Sequence, residues 1–356
     1  MAHRITTLAA LAGHDFDQVI DVRAPAEFAE DHLPGAINLP VLSDEERARV
    51  GTIYVQQSPF LARKVGAALV ARNAAAHIEG PLADLDGAWR PLVYCWRGGQ
   101  RSNSFASILT QVGWRAEVIE GGYRSYRHAV KSVLYDTPMA SRVILLDGYT
   151  GTAKTEILHR AAEQGAQVLD LEGLANHRGS VFGAREGGQP EQKGFESALA
   201  ARIIALDASR PVLVEAESSR VGACNLPPQL WAAMRAAPRI EVVASPAARA
   251  RYLVEAYTDI VHDGGRLDET LSNLVRLQGH EQVAAWRALA RAGQFERLAG
   301  ELMERHYDPR YARQRGRDAE LFLDRIETDA LDRAALERIA GHIAARMRSI
   351  EADGAP

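Results

Sequence analysis

Short apolar runs alternate with stretches of helical periodicity along the first part of the chain. Residues 18–22 form a β-branched run, and Pro25-Ala26-Glu27-Phe28 then opens a helix with proline at an early position. Residues 32–40 return the chain as a turn and a short extended segment. Helical spacing over 61–72 is followed by an apolar run at 91–94, and 102–109 reads as a helix with a serine start signal. A strand at 117–120 and a glycine pair leading into another helix complete the set. Strands and helices alternating at this length predict a parallel α/β sheet, which binds ligands at the carboxyl ends of its strands.

After a linker at 135–141 the pattern starts again. Residues 142–147 are an apolar strand, followed by a glycine-containing loop and a helix running to about Gln164, stopped by Gly165. Strands are expected at 167–171 and 211–214, with a helix at 195–206 between them. Beyond about Ser245, β-branched runs become rare and apolar residues take helical spacing, as at Val283, Trp286 and Leu289, then Phe295, Leu298 and Leu302. The predicted organisation is an α/β parallel-sheet domain over 1–137, a second α/β domain over 138–245, and a helical C-terminal part over 246–356.

A length of 356 residues fits two or three domains, and 47% hydrophobic with 25% charged residues is a soluble globular composition. No apolar run approaches the ~18 residues of a membrane span, and the N-terminus lacks a secretory pattern. Cys95 and Cys224 stand in unlike contexts, so no disulfide framework is expected, and a reducing cytoplasm is the expected location. A net charge of −4 makes no case for nucleic acid by itself. Lysine is rare, with Lys64, Lys131, Lys154 and Lys193 against 38 arginines, so each lysine draws notice.

Three stretches carry candidate chemistry. Cys95 ends an apolar strand and is followed by Trp96-Arg97-Gly98-Gly99-Gln100-Arg101-Ser102 and a helix. Loop amides, the positive end of that helix, Arg97 and Arg101 all favour a thiolate and any anion brought to it. A small buried hydrophobe is the ordinary reading of a free cysteine, but glycines and arginines in the loop favour a nucleophile. Asp21 and Arg23 read as a structural ion pair. The second stretch, Gly148-Tyr149-Thr150-Gly151-Thr152-Ala153-Lys154-Thr155, lies between a strand and a helix, the context of a phosphate-binding P-loop. Gly148, Thr150, Gly151 and Thr152 would cradle a diphosphate, Lys154 would neutralise it, and Thr155 could hold Mg²⁺. Ala153 stands where the motif calls for glycine, so its Cβ either crowds the phosphate or strains the turn.

Polar loops follow the next strands. Asp170, Glu172, His177 and Arg178 lie in a glycine-bearing run that reads as a binding loop. Glu215 or Glu217, at a later strand end, could serve the water shell of Mg²⁺, or simply cap the strand. Cys224 reads as structural. Residues 304–317 interleave His306, Tyr307 and Tyr311 with arginines, including Arg310, Arg313, Arg315 and Arg317, a pattern suited to nucleic acid or to a solvated helix face.

Asp21-Val22-Arg23, Pro25-Ala26-Glu27-Phe28, His32-Leu33-Pro34-Gly35-Ala36-Ile37-Asn38, the Cys95 loop and Gly121-Gly122-Tyr123 resemble a rhodanese domain, whose cysteine carries sulfur or selenium. Five residues separate Cys95 from Arg101, the spacing of cysteine phosphatases and one more than is common in sulfur-carrying rhodaneses. The wider loop is expected to seat a tetrahedral anion such as phosphate or selenophosphate. The rhodanese-like domain followed by a P-loop domain with Asp170-Leu171-Glu172-Gly173-Leu174-Ala175-Asn176-His177-Arg178 and Glu215-Ala216-Glu217-Ser218 resembles the bacterial tRNA 2-selenouridine synthases over nearly the whole chain.

That resemblance implies a transferase acting on wobble 2-thiouridine in tRNA. The thiocarbonyl sulfur would be alkylated with geranyl diphosphate, and the S-geranyl group then exchanged for selenium from selenophosphate. It implies Mg²⁺ with no tightly bound cofactor, tRNA and a selenophosphate-supplying enzyme as partners, and no membrane. Cys95, Arg97 and Arg101 would be the catalytic set. Arg124 and Arg127 join the C-terminal arginines as expected tRNA contacts. The competing reading is a persulfide-carrying sulfurtransferase fused to an ATP-using kinase-like domain.

Overall fold

The computed structural model describes residues 2–315 and 322–353. The chain divides into two compact units, Met1–Thr137 with Pro190–Ile204, and Pro138–Gln189 with Ala205–Pro356.

The first unit is built on five parallel strands: β1 (Ala2–His3), β2 (Gln18–Asp21), β3 (Ile37–Asn38), β4 (Pro91–Tyr94) and β5 (Glu117–Ile119). Their order is β1-β5-β4-β2-β3, which puts β4 at the centre with both faces covered. All four residues of β4 are therefore buried, as its unbroken apolar run requires. Asp21 and Arg23 are a structural pair, as their spacing suggested. Both are buried, the Arg23 guanidinium donates to both Asp21 carboxylate oxygens, and its Nη2 also donates 2.6 Å to the Asp31 carbonyl. An Arg23→Leu variant leaves the Asp21 carboxylate buried and alone, a loss of about 3–5 kcal/mol. In urea unfolding that loss lowers the midpoint of the first unit by about 1 M or more, and an unmoved midpoint refutes it.

Residues 190–204 were expected in the second domain. Their helix, Gln192–Ile204, instead buries Phe195, Leu199 and Ala200 and belongs to the first unit. Polar contacts account for this. Ser197 donates 2.9 Å to Asp31, Arg127 is ion-paired with Glu196, and the Tyr135 hydroxyl donates 2.8 Å to Glu196. The periodic pattern shows that this segment is a helix, but not which sheet it serves.

The second unit is also a parallel sheet, with β6 (Val143–Asp147), β7 (Val168–Leu169) and β8 (Val212–Glu215). A two-stranded antiparallel ribbon, β9 (Arg220–Val221) and β10 (Cys224–Asn225), stands apart from it. The sheet is completed by β11 (Arg239–Ala244) and β12 (Phe322–Thr328), in the order β12-β11-β6-β8-β7. The described residues of segment 246–356 are largely helical, as expected, with one addition: β12 pairs along the whole of β11. The closing helix Arg333–Asp353 buries Ile339, Ile343 and Met347 in one core with Ile157 and Ala161 of the helix Lys154–Glu163. Its helices from Thr258 to Leu302 gather round Trp286 in a second core. Cys224 is buried and accepts from Gln189, a structural role.

Candidate active sites

In the first unit the central strand ends at Tyr94, Cys95 follows it directly, and the helix Gln100–Val112 begins five residues after Cys95. The thiol is buried, and the Gly99 N–H points at its Sγ from 3.3 Å. The Ser102 hydroxyl is 3.2 Å from the same sulfur and 3.2 Å from the Gly99 carbonyl. An amide, a hydroxyl and a helix N-terminus thus converge on one sulfur.

The loop keeps this shape through a close approach of backbone to backbone. Gly122, at φ +58°, lies so near that a Cβ would sit 2.2 Å from the Cys95 carbonyl oxygen, and one at Gly98 (φ +64°) would sit 2.5 Å from that of Ile119. Tyr123 and Arg124 donate backbone N–H groups to the Cys95 and Trp96 carbonyls at 2.8 and 3.1 Å. Only glycine fits such contacts at positive φ.

Arg101 is held by Glu27 at 3.0 Å, and Glu27 also pairs with Arg47 at 2.8 Å. Burial works to raise the Glu27 carboxyl, and the two arginines outweigh it, leaving the pKa below the usual value. Arg97 is exposed on the loop. Arg124 is exposed as well, whereas Arg127 is spent on Glu196. Sequence reasoning missed Glu27, which looks like an ordinary helix-start acid.

In the second unit, β6 feeds the loop 148–153 and the helix Lys154–Glu163, beside a cleft of about 890 Å³. Thr150, Gly151, Thr152, Lys154, Thr155, Glu172, Arg178 and Glu217 all line it. Ala153 takes the left-handed conformation, φ 59° and ψ 28°, that its motif position demands. Its side chain is buried in the core with Ile144 and Ile157, so the departure from glycine appears as backbone strain, of order 1–2 kcal/mol.

Lys154 donates 2.9 Å to the Gly148 carbonyl and lies 5.4 Å from the centre of the Tyr311 ring. Burial opposes its charge, but Tyr311, Glu217, Glu172 and Asp147 outweigh burial and hold its pKa above the usual lysine value. The Thr155 hydroxyl donates 2.6 Å to Glu172. Arg249, buried, donates from Nε to the Thr150 carbonyl at 2.8 Å and grips Asp308 with both terminal nitrogens, at 2.9 and 2.6 Å. It thereby ties the phosphate loop to the C-terminal helices. Neither Arg249 nor Tyr311 carries a local sequence signal for this role.

Of the two strand-end acids, the structure brings Glu217 to the cleft and turns Glu215 inward. Glu215 is fully buried and accepts the Leu171 N–H at 2.9 Å. Burial, with Asp170 and Glu172 nearby, pushes its pKa well above the carboxylate range. Asp170 caps the turn Leu171–Leu174 and takes His159 at 2.7 Å. His177 accepts the Gly179 N–H at Nδ1, and burial keeps its pKa low. These three brace the loop rather than line the cleft. Arg178 pairs with Asp259 at 3.0 Å on the cleft's rim. Arg310 is exposed and lies 3.3 Å from His306. Arg313 and Arg315 fall in the helix Asp308–Arg315, and Arg317 lies outside the described residues.

Burial and the neighbouring Glu172 push the Glu217 carboxyl to about 8, against the pull of Lys154. The folded state therefore holds this proton more tightly than the unfolded chain, whose glutamates titrate near ~4.3. Stability falls as pH rises from that value through about 8. A Glu217→Gln variant is expected to lose less Tm than the parent between pH 6 and pH 9, by about 2–4 °C per kcal/mol recovered. Equal losses in both proteins would refute the assignment.

Among the described residues no group of three or more His, Cys, Asp or Glu forms a ready metal cage. The cleft offers instead the hard oxygens of Thr155, Glu172 and Glu217, a set that suits a largely hydrated Mg²⁺ shared with phosphate oxygens.

Residues 5–129 match the rhodanese-like domain family, and residues 141–282 match the tRNA 2-selenouridine synthase AAA domain family. A protein of Pseudomonas syringae pv. syringae described as tRNA 2-selenouridine synthase is 34% identical over 334 residues, covering 83% of this chain and 88% of that one. A protein of the same description from Pseudomonas syringae pv. tomato is 35% identical over 330 residues, covering 83% and 88%. Another from Alcanivorax borkumensis is 38% identical over 250 residues, covering 67% and 66%.

Proposed function

This chain belongs to the tRNA 2-selenouridine synthase family, and from that premise we propose that it is a tRNA-modifying transferase whose two units serve two successive steps on wobble 2-thiouridine. In the first step the thiocarbonyl sulfur attacks C1 of geranyl diphosphate. A carbon–sulfur bond forms, the carbon–oxygen bond breaks, and pyrophosphate leaves while the base gives up its N3 proton. In the second step selenium from selenophosphate attacks C2 of the base. Geranylthiol leaves, and water takes up the phosphoryl group as phosphate.

The order follows from leaving-group chemistry. An unalkylated thiocarbonyl would have to expel a sulfide-like group, whereas the alkylated sulfur departs as a thiol. The observation that carries the reading is the lysine of the second unit, half-buried and held cationic at the mouth of a loop suited to a diphosphate. Lys154 and the loop N–H groups stabilise charge on the departing pyrophosphate. Mg²⁺, held through Thr155 with Glu172 and Glu217 behind it, supplies charge neutralisation when bound. In the first unit, Cys95 assists the transfer: its sulfur takes the phosphoryl group as the P–Se bond breaks, the selenide set free attacks C2, and water then releases phosphate and restores the thiol. The Gly99 N–H donates to its sulfur, and Arg97 and Arg101 orient the phosphate of the donor.

A selenophosphate-supplying enzyme is the expected upstream partner, and the cytoplasm the expected location. Arg124 and the exposed Arg310, with Arg313, Arg315 and Arg317, are the expected contacts to tRNA phosphates. The test is mass spectrometry of nucleosides from 2-thiouridine tRNA incubated with the protein, Mg²⁺ and geranyl diphosphate, with and without selenophosphate. S-geranylated thiouridine in the first condition and selenouridine in the second support the reading. Unmodified nucleoside in both ends it, and persulfide on Cys95 with ATP hydrolysis would favour the sulfurtransferase alternative.

A further inference from the structure

Beside the phosphate-loop cleft of the second unit lies an apolar groove. The two share Thr150, Leu253, Tyr257 and Tyr307 in their walls, so one opens into the other. Past that junction the walls are hydrocarbon: Phe182, Ile260, Leu267, Phe295 and Leu298. Tyr257 marks the change of character. Its hydroxyl lies 3.3 Å from that of Ser180 and the Arg178 guanidinium lies 4.7 Å from its ring centre, while its ring packs on the apolar cluster.

We infer that this groove is the binding site for the hydrocarbon tail of a prenyl diphosphate, and that the helices from Thr258 to Leu302 serve the reaction by forming it. The inference rests on the diphosphate reading of the loop and adds to it where the tail lies and what limits its length. Three features fix the ligand class. An anion cradle that opens into an apolar groove suits a molecule with a diphosphate head and a hydrocarbon tail. The groove's free volume is about 80 Å³, room for roughly five to eight waters at about 10–15 Å³ each. That is the size of a short branched chain with its first carbons still beside the phosphate loop, and it is too small and too apolar for a nucleoside. Finally, the groove's walls are the same side chains that form the core of the helical region. A longer tail would have to prise that core apart or run out of the groove into solvent, and neither adds affinity.

Equilibrium binding to the full chain, with Mg²⁺ present, tests this with pyrophosphate and the five-, ten- and fifteen-carbon prenyl diphosphates. Each methylene removed from water is worth roughly fourfold in affinity, offset by the cost of ordering the chain. The ten-carbon compound is therefore expected to bind at least thirtyfold more tightly than pyrophosphate, with the five-carbon compound between them and no further gain at fifteen. Ala299 lines the groove and is partly exposed. Ala299→Phe is expected to bring the ten-carbon compound within about threefold of pyrophosphate while leaving pyrophosphate binding unchanged.

If the unaltered protein binds all four ligands equally, the tail site is wrong and the diphosphate loop stands. The same holds if Ala299→Phe weakens pyrophosphate and the ten-carbon compound alike. If the unaltered protein binds none of the four, the diphosphate reading itself fails and the tail site goes with it. The length series needs no substitution, so misfolding of the variant does not rescue the inference.

Discussion

A Cys95→Ala variant supplied with tRNA that already carries S-geranyl-thiouridine is expected to form selenouridine at least 10³-fold more slowly than the parent, while its geranylation of 2-thiouridine tRNA stays within about twofold. The physical ground is the convergence on one sulfur of the Gly99 N–H, the Ser102 hydroxyl and the N-terminus of the helix Gln100–Val112. Alanine keeps the backbone contacts from Tyr123 and Arg124 that shape the loop, and it removes only the atom they surround. Losing one small buried side chain costs the fold little, so the defect should be chemical, visible as an unchanged thermal midpoint. Mass spectrometry of nucleosides over a time course separates the two steps. Selenouridine at the parental rate from Cys95→Ala would mean that the donor delivers selenium to the base directly, with the loop merely holding its phosphate.

Much of this architecture was legible in the sequence because local chemistry dictated it. The apolar runs at 91–94 and from Val143 onward read as central strands; every residue of Pro91–Tyr94 and Val143–Asp147 is buried, and both strands lie inside their sheets. Gly122 had to be glycine because its Cβ would strike the Cys95 carbonyl. What stayed hidden depends on contacts far apart in sequence. Helix Gln192–Ile204 shows its period but not its partner, which is set by Asp31 and Arg127. Strand β12 reads as part of a helical region until β11 pairs with it. Arg249 gives no local sign that it will bridge the Thr150 carbonyl and Asp308. Glu215 and Glu217 look equivalent two residues apart; β8 ends at Glu215, whose carboxylate takes the Leu171 N–H, and the chain has left the strand by Glu217, which lines the cleft. The apolar groove is least legible of all, because its walls read as ordinary helical core.

Lys154→Ala is expected to show the converse of the cysteine variant: geranyl transfer falls about 10²–10³-fold, while conversion of pre-geranylated tRNA to selenouridine continues at the parental rate. The ammonium sits among Glu217, Glu172 and Asp147, which hold it charged although it is half-buried. Removing it takes away positive charge where pyrophosphate must leave, and it leaves those carboxylates without their compensating cation. The second effect gives an independent sign. Lys154 now pulls the Glu217 carboxyl down, so without it that carboxyl should titrate above its present value of about 8. The folded state would then hold its proton to still higher pH, and the loss of stability on raising pH should extend further in Lys154→Ala than in the parent. Lys154→Arg is not expected to restore transfer, because a planar guanidinium cannot take the compact site beneath the Gly148 carbonyl. Were Lys154→Ala to keep geranyl transfer within about threefold, the phosphate loop would not be where the diphosphate departs. The cleft would then have to act on the tRNA alone, with the charge at Lys154 serving only to hold Glu217 and Glu172 together.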